Sequence, residues 1–443
     1  MSRAASEDDA RVPRTAAAEG DAQARRTAVA EGDARARRTA DAVARRSYGK
    51  LVAFLSARTR DVAGAEDALS EAFANALAEW PAKGCPANPE AWLLTVARRK
   101  LIDRARRRRT TKLAEPELRL LAEQLDLAAE EEVIPDQRLA LLFACAHPAV
   151  EAGIRAPLML QVVLGLDAAM IASAFLMSPA SMGQRLVRAK NKIRQAGIPF
   201  RVPERDELPA RLDTVLDAIY AAYAEGWSDP AGSDAARRDL AGEALFLCRI
   251  VTELMPDEPE ALGLLALMLH ADARRPARRN SQGDYVPLAE QDTALWDLAM
   301  IDEAEALLMR AGARQVLGRF QLEAALQSAH VHRRLTGRAN WEDVLALYDA
   351  LLALSGSPVV AINRALALAE VEGAAAALAA LDGLASDARL AQYQPYWAAR
   401  AEFLARAGDQ AGARHAYDVA IGLERDPAVR RYLQHRKATR LDS

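Results

Sequence analysis

The sequence predicts an all-α protein built from several helical modules in series. Alanine and leucine dominate the 443 residues and aromatic side chains make up only 5%, a composition suited to helices packed on helices rather than to sheets. Apolar residues recur three and four apart in one segment after another, the period of a one-sided helix. Charge is sharply sorted along the chain although the net value is only −3. With 51% hydrophobic residues the chain can bury a core. Its length exceeds what one core holds, so two to four domains are expected.

Residues 1–40 repeat with a twelve-residue period, RTAAAEGDAQAR from Arg14, RTAVAEGDARAR from Arg26 and RTADAVAR from Arg38. Alanine with mixed charge and few large apolar groups predicts a frayed helix or a disordered extension. A first domain is expected over 41–110. Within it AEDALSEAFANALAEW (65–80) sets Leu69, Phe73, Leu77 and Trp80 on one helical face and Asp67 and Glu71 one turn apart on another. That acidic face is either plain solvation or a docking surface for a protein. Next, PEAWLLTVARRKLIDRARRRR (89–109) anchors a helix through Trp92, Leu93, Val96 and Leu101, and its second half is densely cationic. Residues 98–112 hold nine Lys/Arg against the single acid Asp103. A basic helix beside an aromatic can hold phosphates and stack on exposed bases, although a tryptophan such as Trp92 is more often core. An acidic linker follows at 111–133, and residues 115–136 carry eight acids against Arg119.

The second expected domain, 134–196, contains LGLDAAMIASAFLMSPASMGQRLVRAK, which fits a helix, a short turn and a second helix. Ser178 followed by Pro179 is an N-cap with proline at the first helical position. Met182, Leu186, Ala189 and Ile193 form the inward stripe, while Ser181, Gln184, Arg185, Arg188 and Lys192 lie on the outer side. Helix-turn-helix spacing offers the second helix to the major groove, where arginine pairs with guanine and glutamine with adenine. A helical hairpin that merely packs has the same spacing. However, residues 168–203 hold six cations and no acid, and two cationic modules joined by an acidic connector point to a polyanion gripped at two places. Gln161, Asp167 and Ser173 interrupt the apolar run 156–177, so two buried helices are expected there rather than a membrane span.

A turn-rich linker, GIPFRVPERDELP (197–209), leads to helical periodicity over 210–443. Trp397, Ala401, Leu404, Gly408, Ala413, Tyr417 and Ala420, with Pro427 closing, match a tetratricopeptide unit of two helices. NWEDVLALYDALLALSGSP (340–358) suggests a second, less regular unit. Such units bury their apolar faces only by stacking into a solenoid, whose concave side binds a peptide or protein, or which simply stabilises the chain. DARRPARRNSQGDYVPLAEQD (272–292) breaks the helical period and is expected to be an ordered loop.

Several classes are disfavoured. Cys85, Cys145 and Cys248 are far apart and form no CxxC pair, which argues against a disulfide framework or zinc site and for a reducing cytoplasm. The N-terminus has no apolar stretch of secretory type. His330 and His332 point apart on a helix, and no P-loop, GxSxG or HExxH occurs. Hence no metal, no cofactor and no catalysis are expected. A helix-turn-helix activator with a solenoid sensor accounts for 134–443 but not for the acidic and basic helices of 65–109.

AEDALSEAF and PEAWLLTVARRKLIDRARRRR resemble region 2 of the sigma-70 family, specifically its extracytoplasmic-function group. Residues 164–190 resemble region 4.2 of that group, and the order and short linker also match. IPFRVP, PDEPEALGLLALMLHADARRPAR, the Gln291-Asp292…Trp296-Asp297 segment and SPVVAINRALALAEVEG resemble its subgroup with a C-terminal tetratricopeptide-like extension. The resemblance covers nearly everything after about residue 41. It implies a bacterial cytoplasmic, nucleoid-associated transcription initiation factor that recruits core RNA polymerase to promoter DNA through the β′ clamp and β flap. It implies core polymerase binding by Asp67 and Glu71, and contact with the −10 element by Trp92, Arg98, Arg99, Lys100 and Arg104. Reading of the −35 element would fall to Ser181, Gln184, Arg185 and Arg188, with the acidic linker threading near the polymerase active site. Three positions depart from the group's pattern. Met170 stands where an acid is usual, Leu176 replaces a common turn glycine, and Arg99 replaces a common asparagine, which leaves the −10 bases open.

Overall fold

The computed structural model describes residues 13–108, 136–175, 177–204, 206–227 and 235–441. The acidic linker and Leu176 lie outside them. Among the described residues the regular secondary structure is helical, with one isolated bridge, Arg279 to Tyr285. It divides into two compact units, one of residues 1–172 and 176–215, the other of 173–175 and 216–443.

The first unit is organised around α1 (Pro13–Thr59). The repeats expected to fray or be disordered form its first half, helical from Pro13. Alanine is the strongest helix former, and Ala36, Ala40 and Val43 are already buried before the packed stretch Leu51–Ser56. Against α1 lies α2 (Val62–Lys83), started by Asp61, whose carboxylate accepts the Gly64 N–H at 3.1 Å, and stopped at Gly84 with φ +82°. The contact surface of α2 differs from the expected stripe. Ala65, Ala68, Leu69, Ala72, Ala76 and Trp80 are buried, whereas Leu77 is 46% exposed. Small residues win because α1 comes too close for large ones: a Cβ on Gly32 would sit 2.9 Å from the Pro81 carbonyl oxygen. Helix α3 (Pro89–Arg108) packs on both through Leu93, Leu94, Ala97 and Leu101.

Helices α4 (Arg138–Cys145), α5 (Ala152–Leu164), α6 (Ala168–Ala174) and α7 (Pro179–Gln195) follow. The α7 stripe of Met182, Leu186, Ala189 and Ile193 is buried, and Ser178 Oγ accepts the Ser181 N–H at 3.2 Å, as the sequence predicts. Helices α4 and α5 rest on α1 itself. Gly49 approaches α5 so closely that a Cβ would lie 2.1 Å from the Val163 carbonyl oxygen, and a Cβ on Gly165 would lie 2.9 Å from the Tyr48 ring. The start of α8 (Leu208–Trp227) belongs here too, with Arg211 donating to the Phe143 carbonyl at 2.5 Å.

The second unit is centred on α10 (Pro259–Ala273), an almost wholly buried helix that packs against α9 (Ala235–Leu254), α11 (Leu298–Gly312) and α12 (Arg319–Thr336). Glu260 on α10 caps α12 from outside, accepting the Phe320 and Gln321 N–H groups at 2.9 and 3.1 Å. Gly318 makes this possible, since a Cβ there would fall 2.2 Å from the Glu260 carboxyl carbon. Between α10 and α11 the chain leaves the α-helix, as expected for 272–292, for a well-tied segment with short 3-10 turns at Arg275–Arg278, Leu288–Glu290 and Thr293–Leu295. Arg274 Nε donates to the His270 carbonyl at 3.0 Å, and Trp296 packs with Ala273, Ala277, Ile301 and Val331. Helices α13 (Trp341–Ser355), α14 (Pro358–Val371), α15 (Ala374–Asp382), α16 (Gln394–Arg406), α17 (Gln410–Leu423) and α18 (Pro427–Leu441) continue as neighbours packed in sequence order. Gly408, at φ +87°, separates α16 from α17, and Ala401, Ala413, Tyr417 and Ala420 are buried. Helix α18 is basic, yet its cations are engaged: Arg431 with Asp284, Lys437 with Asp418, Arg436 and Arg440 with Glu402.

Two glycines give opposite expectations. Gly49→Ala drives a methyl into the Val163 carbonyl and should cost about 1–3 kcal/mol. Gly183→Ala, with nothing near its Cβ position, should gain roughly 0.5–1 kcal/mol from helix propensity. Thermal or urea unfolding of the two variants checks both.

Candidate polymerase and nucleic-acid interface

Every residue expected in a binding role lies in the first unit. On α2, Asp67 and Glu71 project one turn apart with side chains 66% and 41% exposed. They do not face solvent alone, because two cations of α3 reach across to them. Arg104 binds Asp67 Oδ2 at 3.0 Å and Glu71 Oε1 at 2.5 Å, while Lys100 binds Glu71 Oε2 at 3.1 Å. The residues expected to dock polymerase and two of those expected on the −10 element therefore form one network. Hydrogen bonds from Lys100, then Arg104, hold the Glu71 carboxyl below its ordinary range.

The other α3 residues divide by position. Arg98 is buried, its guanidinium 5.8 Å from the Phe54 ring centroid, with Arg58 at 3.6 Å over the same ring. It lies inside the module, not on its surface. Arg99 and Arg106 are exposed. Trp92 is half-buried and meets Trp80 edge to face at 5.5 Å, so it joins α3 to α2.

On α7, Gln184, Arg188 and Lys192 are exposed and Ser181 is half-buried. Arg185 folds back within its own module. Its Nη2 meets Glu151 Oε1 at 3.0 Å and its Nη1 meets Met177 Sδ at 3.4 Å. Gly153 leaves room for it, since a Cβ there would lie 3.3 Å from Nη2. Arg185, Arg188 and Lys192 line a cavity of about 330 Å³ with Val150, Glu151 and Ile154. Its cationic wall can hold a phosphate or a base edge, with Glu151 as an internal competitor for Arg185.

Two interactions have no counterpart in the sequence reading. Lys190 Nζ lies 2.5 Å from Glu66 Oε2, and Arg194 Nη1 lies 3.4 Å from Asp61 Oδ2, both joining α7 to α2. Period alone marks Lys190 and Arg194 as one turn apart. No local signal pairs them with acids more than 120 residues away. Among the described residues no group of three or more His, Cys, Asp or Glu side chains is placed to hold a metal ion, and no helix is long and apolar enough to cross a membrane.

The depressed Glu71 carboxyl sets a pH expectation. Its contribution is present above the ordinary carboxylate range and is lost as pH falls through the lowered folded-state value. The near-ultraviolet circular dichroism of the Trp80–Trp92 pair should hold through that ordinary range and decline only below it. Glu71→Gln should remove this step from the acid titration.

Residues 43–111 match sigma-70 region 2, and residues 211–312 match a family of unknown function, DUF6596. An uncharacterized protein of Rhizobium meliloti (strain 1021) is 38% identical over 379 residues, covering 84% of this chain and 88% of its own length. No solved structure matches. The module that carries Asp67, Glu71 and the basic helix α3 is thus a sigma-70 region 2, the part of such proteins that binds core RNA polymerase and promoter DNA. The chain therefore carries a sigma-70 region 2 module and belongs to one family with the uncharacterized Rhizobium meliloti protein, which parallels it over most of its length.

Proposed function

We propose that this chain is a promoter-specificity factor of the extracytoplasmic-function group. It brings core RNA polymerase to DNA through the exposed acidic face of α2, against the β′ clamp, and through the cationic side chains of α3 and α7. The observation that carries the reading is the pairing, in one compact unit, of a region 2 module with a second capped, cationic helix whose apolar stripe is buried. Arg99, with Arg106 beside it, approaches the −10 element and Trp92 presents its open edge there. Lys100 and Arg104 act one step back, fixing the acidic face. Helices α6 and α7 serve as a region 4 helix-turn-helix, with Gln184, Arg188 and Ser181 on the −35 element and Arg185 joining once Glu151 releases it. The β flap is the expected polymerase contact of this second module. The helices beyond residue 216 serve as a tetratricopeptide-like solenoid that regulates the factor or contacts a protein partner.

A helix-turn-helix activator with a solenoid sensor is the competing reading. Purified chain, core polymerase and linear promoter DNA decide between the two. Transcription from that mixture supports the sigma reading, and a requirement for a separate sigma factor supports the activator.

Two substitutions test the assignments. Asp67→Lys should lower affinity for core polymerase, measured by pull-down or interferometry, and unchanged affinity removes Asp67 from the docking face. Arg188→Ala should weaken binding to the cognate promoter about tenfold more than binding to random duplex, the cost of one lost base contact. An equal loss on both duplexes assigns Arg188 to phosphates instead.

A further inference from the structure

The second unit carries an apolar, acid-rimmed groove that the proposed contacts with polymerase and DNA do not use. Helices α11 and α13 each pack on α12, and a cavity of about 670 Å³ opens between them. Met309, Leu317 and Leu335 line it, exposed by 72%, 71% and 47%. Large apolar surface left open in this way marks a site of association. The exposure is built in. Gln315 takes a left-handed φ of +56° that turns the chain outward, and the buried Gln321 ties that turn by donating to the Val316 carbonyl at 2.8 Å.

The charge in the groove is not neutralised. Asp302 and Glu305 line it from α11 and Asp343 from α13, and no lysine or arginine shares the lining. Among the described residues Asp302 and Asp343 meet no cation. Glu305 Oε1 accepts the Ser328 hydroxyl at 2.6 Å and lies 3.4 Å from Nε2 of the fully buried His270. Burial pushes that imidazole down to about 4, so it stays uncharged at neutral pH. Acids outside the groove are matched: Glu303, between Asp302 and Glu305 in sequence, binds Arg249, and Asp217, Asp349, Asp382 and Asp418 pair with arginine or lysine.

The polar groups of the lining select the form of the guest. An extended segment needs partners for its backbone N–H and C=O groups, and the side chains here are already committed. Gln321 bonds to Glu260 and Val316, Asn340 to Arg333 and the Ala329 carbonyl, and Ser328 to Glu305. A helix satisfies its own backbone. It needs only an apolar trough, which a pliable methionine helps to shape, and opposite charge along the rim. The same carboxylates repel nucleic acid.

We propose that the groove of α11, α12 and α13 is a docking site for a basic amphipathic helix of a partner protein. The apolar stripe of that helix lies against Met309, Leu317 and Leu335, and its lysines or arginines meet Asp302, Glu305 and Asp343. This rests on the protein-contacting role proposed for the helices beyond residue 216 and narrows it to one surface and one partner chemistry.

The probe is a fluorescein-labelled leucine–lysine peptide with its leucines at helical spacing, titrated with the full chain and followed by fluorescence anisotropy. It should bind, whereas a shuffled peptide of equal composition and a leucine–glutamate counterpart should not. Met309→Gln/Leu317→Gln and Asp302→Asn/Asp343→Asn should each weaken binding about tenfold. Glu372→Gln, which removes an exposed acid outside the groove, should leave it unchanged. Equal binding of the shuffled peptide, or unchanged affinity in either groove variant, overturns the proposal. A chain that sediments as a dimer, dissolved by Met309→Gln/Leu317→Gln, assigns the groove to a second copy and overturns it too. If a groove variant fails to fold by circular dichroism, hydrogen exchange on the wild-type chain decides. Amides of 313–318 and 341–347 should gain protection when the leucine–lysine peptide is added, and unchanged protection overturns the proposal. Neither polymerase nor promoter enters the assay, so failure of the sigma reading leaves its outcome standing, and failure of the groove leaves the sigma reading intact.

Discussion

The first unit is registered against ten residues of one helix. From Ser47 to Ser56, α1 is buried on nearly every side, and it touches α2, α3, α4 and α5. Such contact is possible because the helix offers Gly49 where the α5 backbone crosses and Phe54 where the arginines of α1 and α3 converge. Close-packed interiors transmit small changes because they hold few voids. A disturbance at Gly49 is therefore felt by both cationic modules, and the geometry of the acidic face on α2 depends on the same seat.

How the polar groups are distributed follows from that packing. Arg98 stands among surface-seeking neighbours in sequence but lies over Phe54, its charge against the face of an aromatic ring, a favourable placement for guanidinium. Lys100 and Arg104, one turn apart, fall on the side of α3 that overlooks α2 and meet Glu71 and Asp67. Function and structure thus share residues. The exposed acids of α2 are kept in position by cations of α3, and these exposed pairs contribute more orientation than energy.

Much of this was legible in the sequence, and the reasons for the rest are physical. The N-cap, the proline and the four buried residues of α7 are legible in the sequence because capping and a 3.6-residue period are local signals. The break at 272–292 and the helix pair after residue 394 were visible on the same grounds. On α2 the stripe of Leu69, Phe73, Leu77 and Trp80 does not match the buried face, where Leu77 is exposed, since the periodicity of large residues is silent about a neighbour so close that only alanine fits. The opening repeats carry no large apolar stripe, so nothing local distinguished a continuous helix from a frayed one. The burial of Arg98, the Lys190–Glu66 and Arg194–Asp61 pairs, and the cap that Glu260 provides for α12 depend on which helices meet. Composition and spacing do not encode that in a single sequence.

The last helix illustrates how far charge counting can mislead. Helix α18 carries five lysines and arginines and no acid, the profile of a polyelectrolyte ligand. Four of them sit on the carboxylates of Asp284, Glu402 and Asp418, and Arg430 donates to the Glu424 carbonyl. A duplex arriving there would have to displace partners already in place instead of mobile counterions, so the entropy that normally drives phosphate binding has little to draw on. Those cations act as rivets, closing the far end of the chain upon itself.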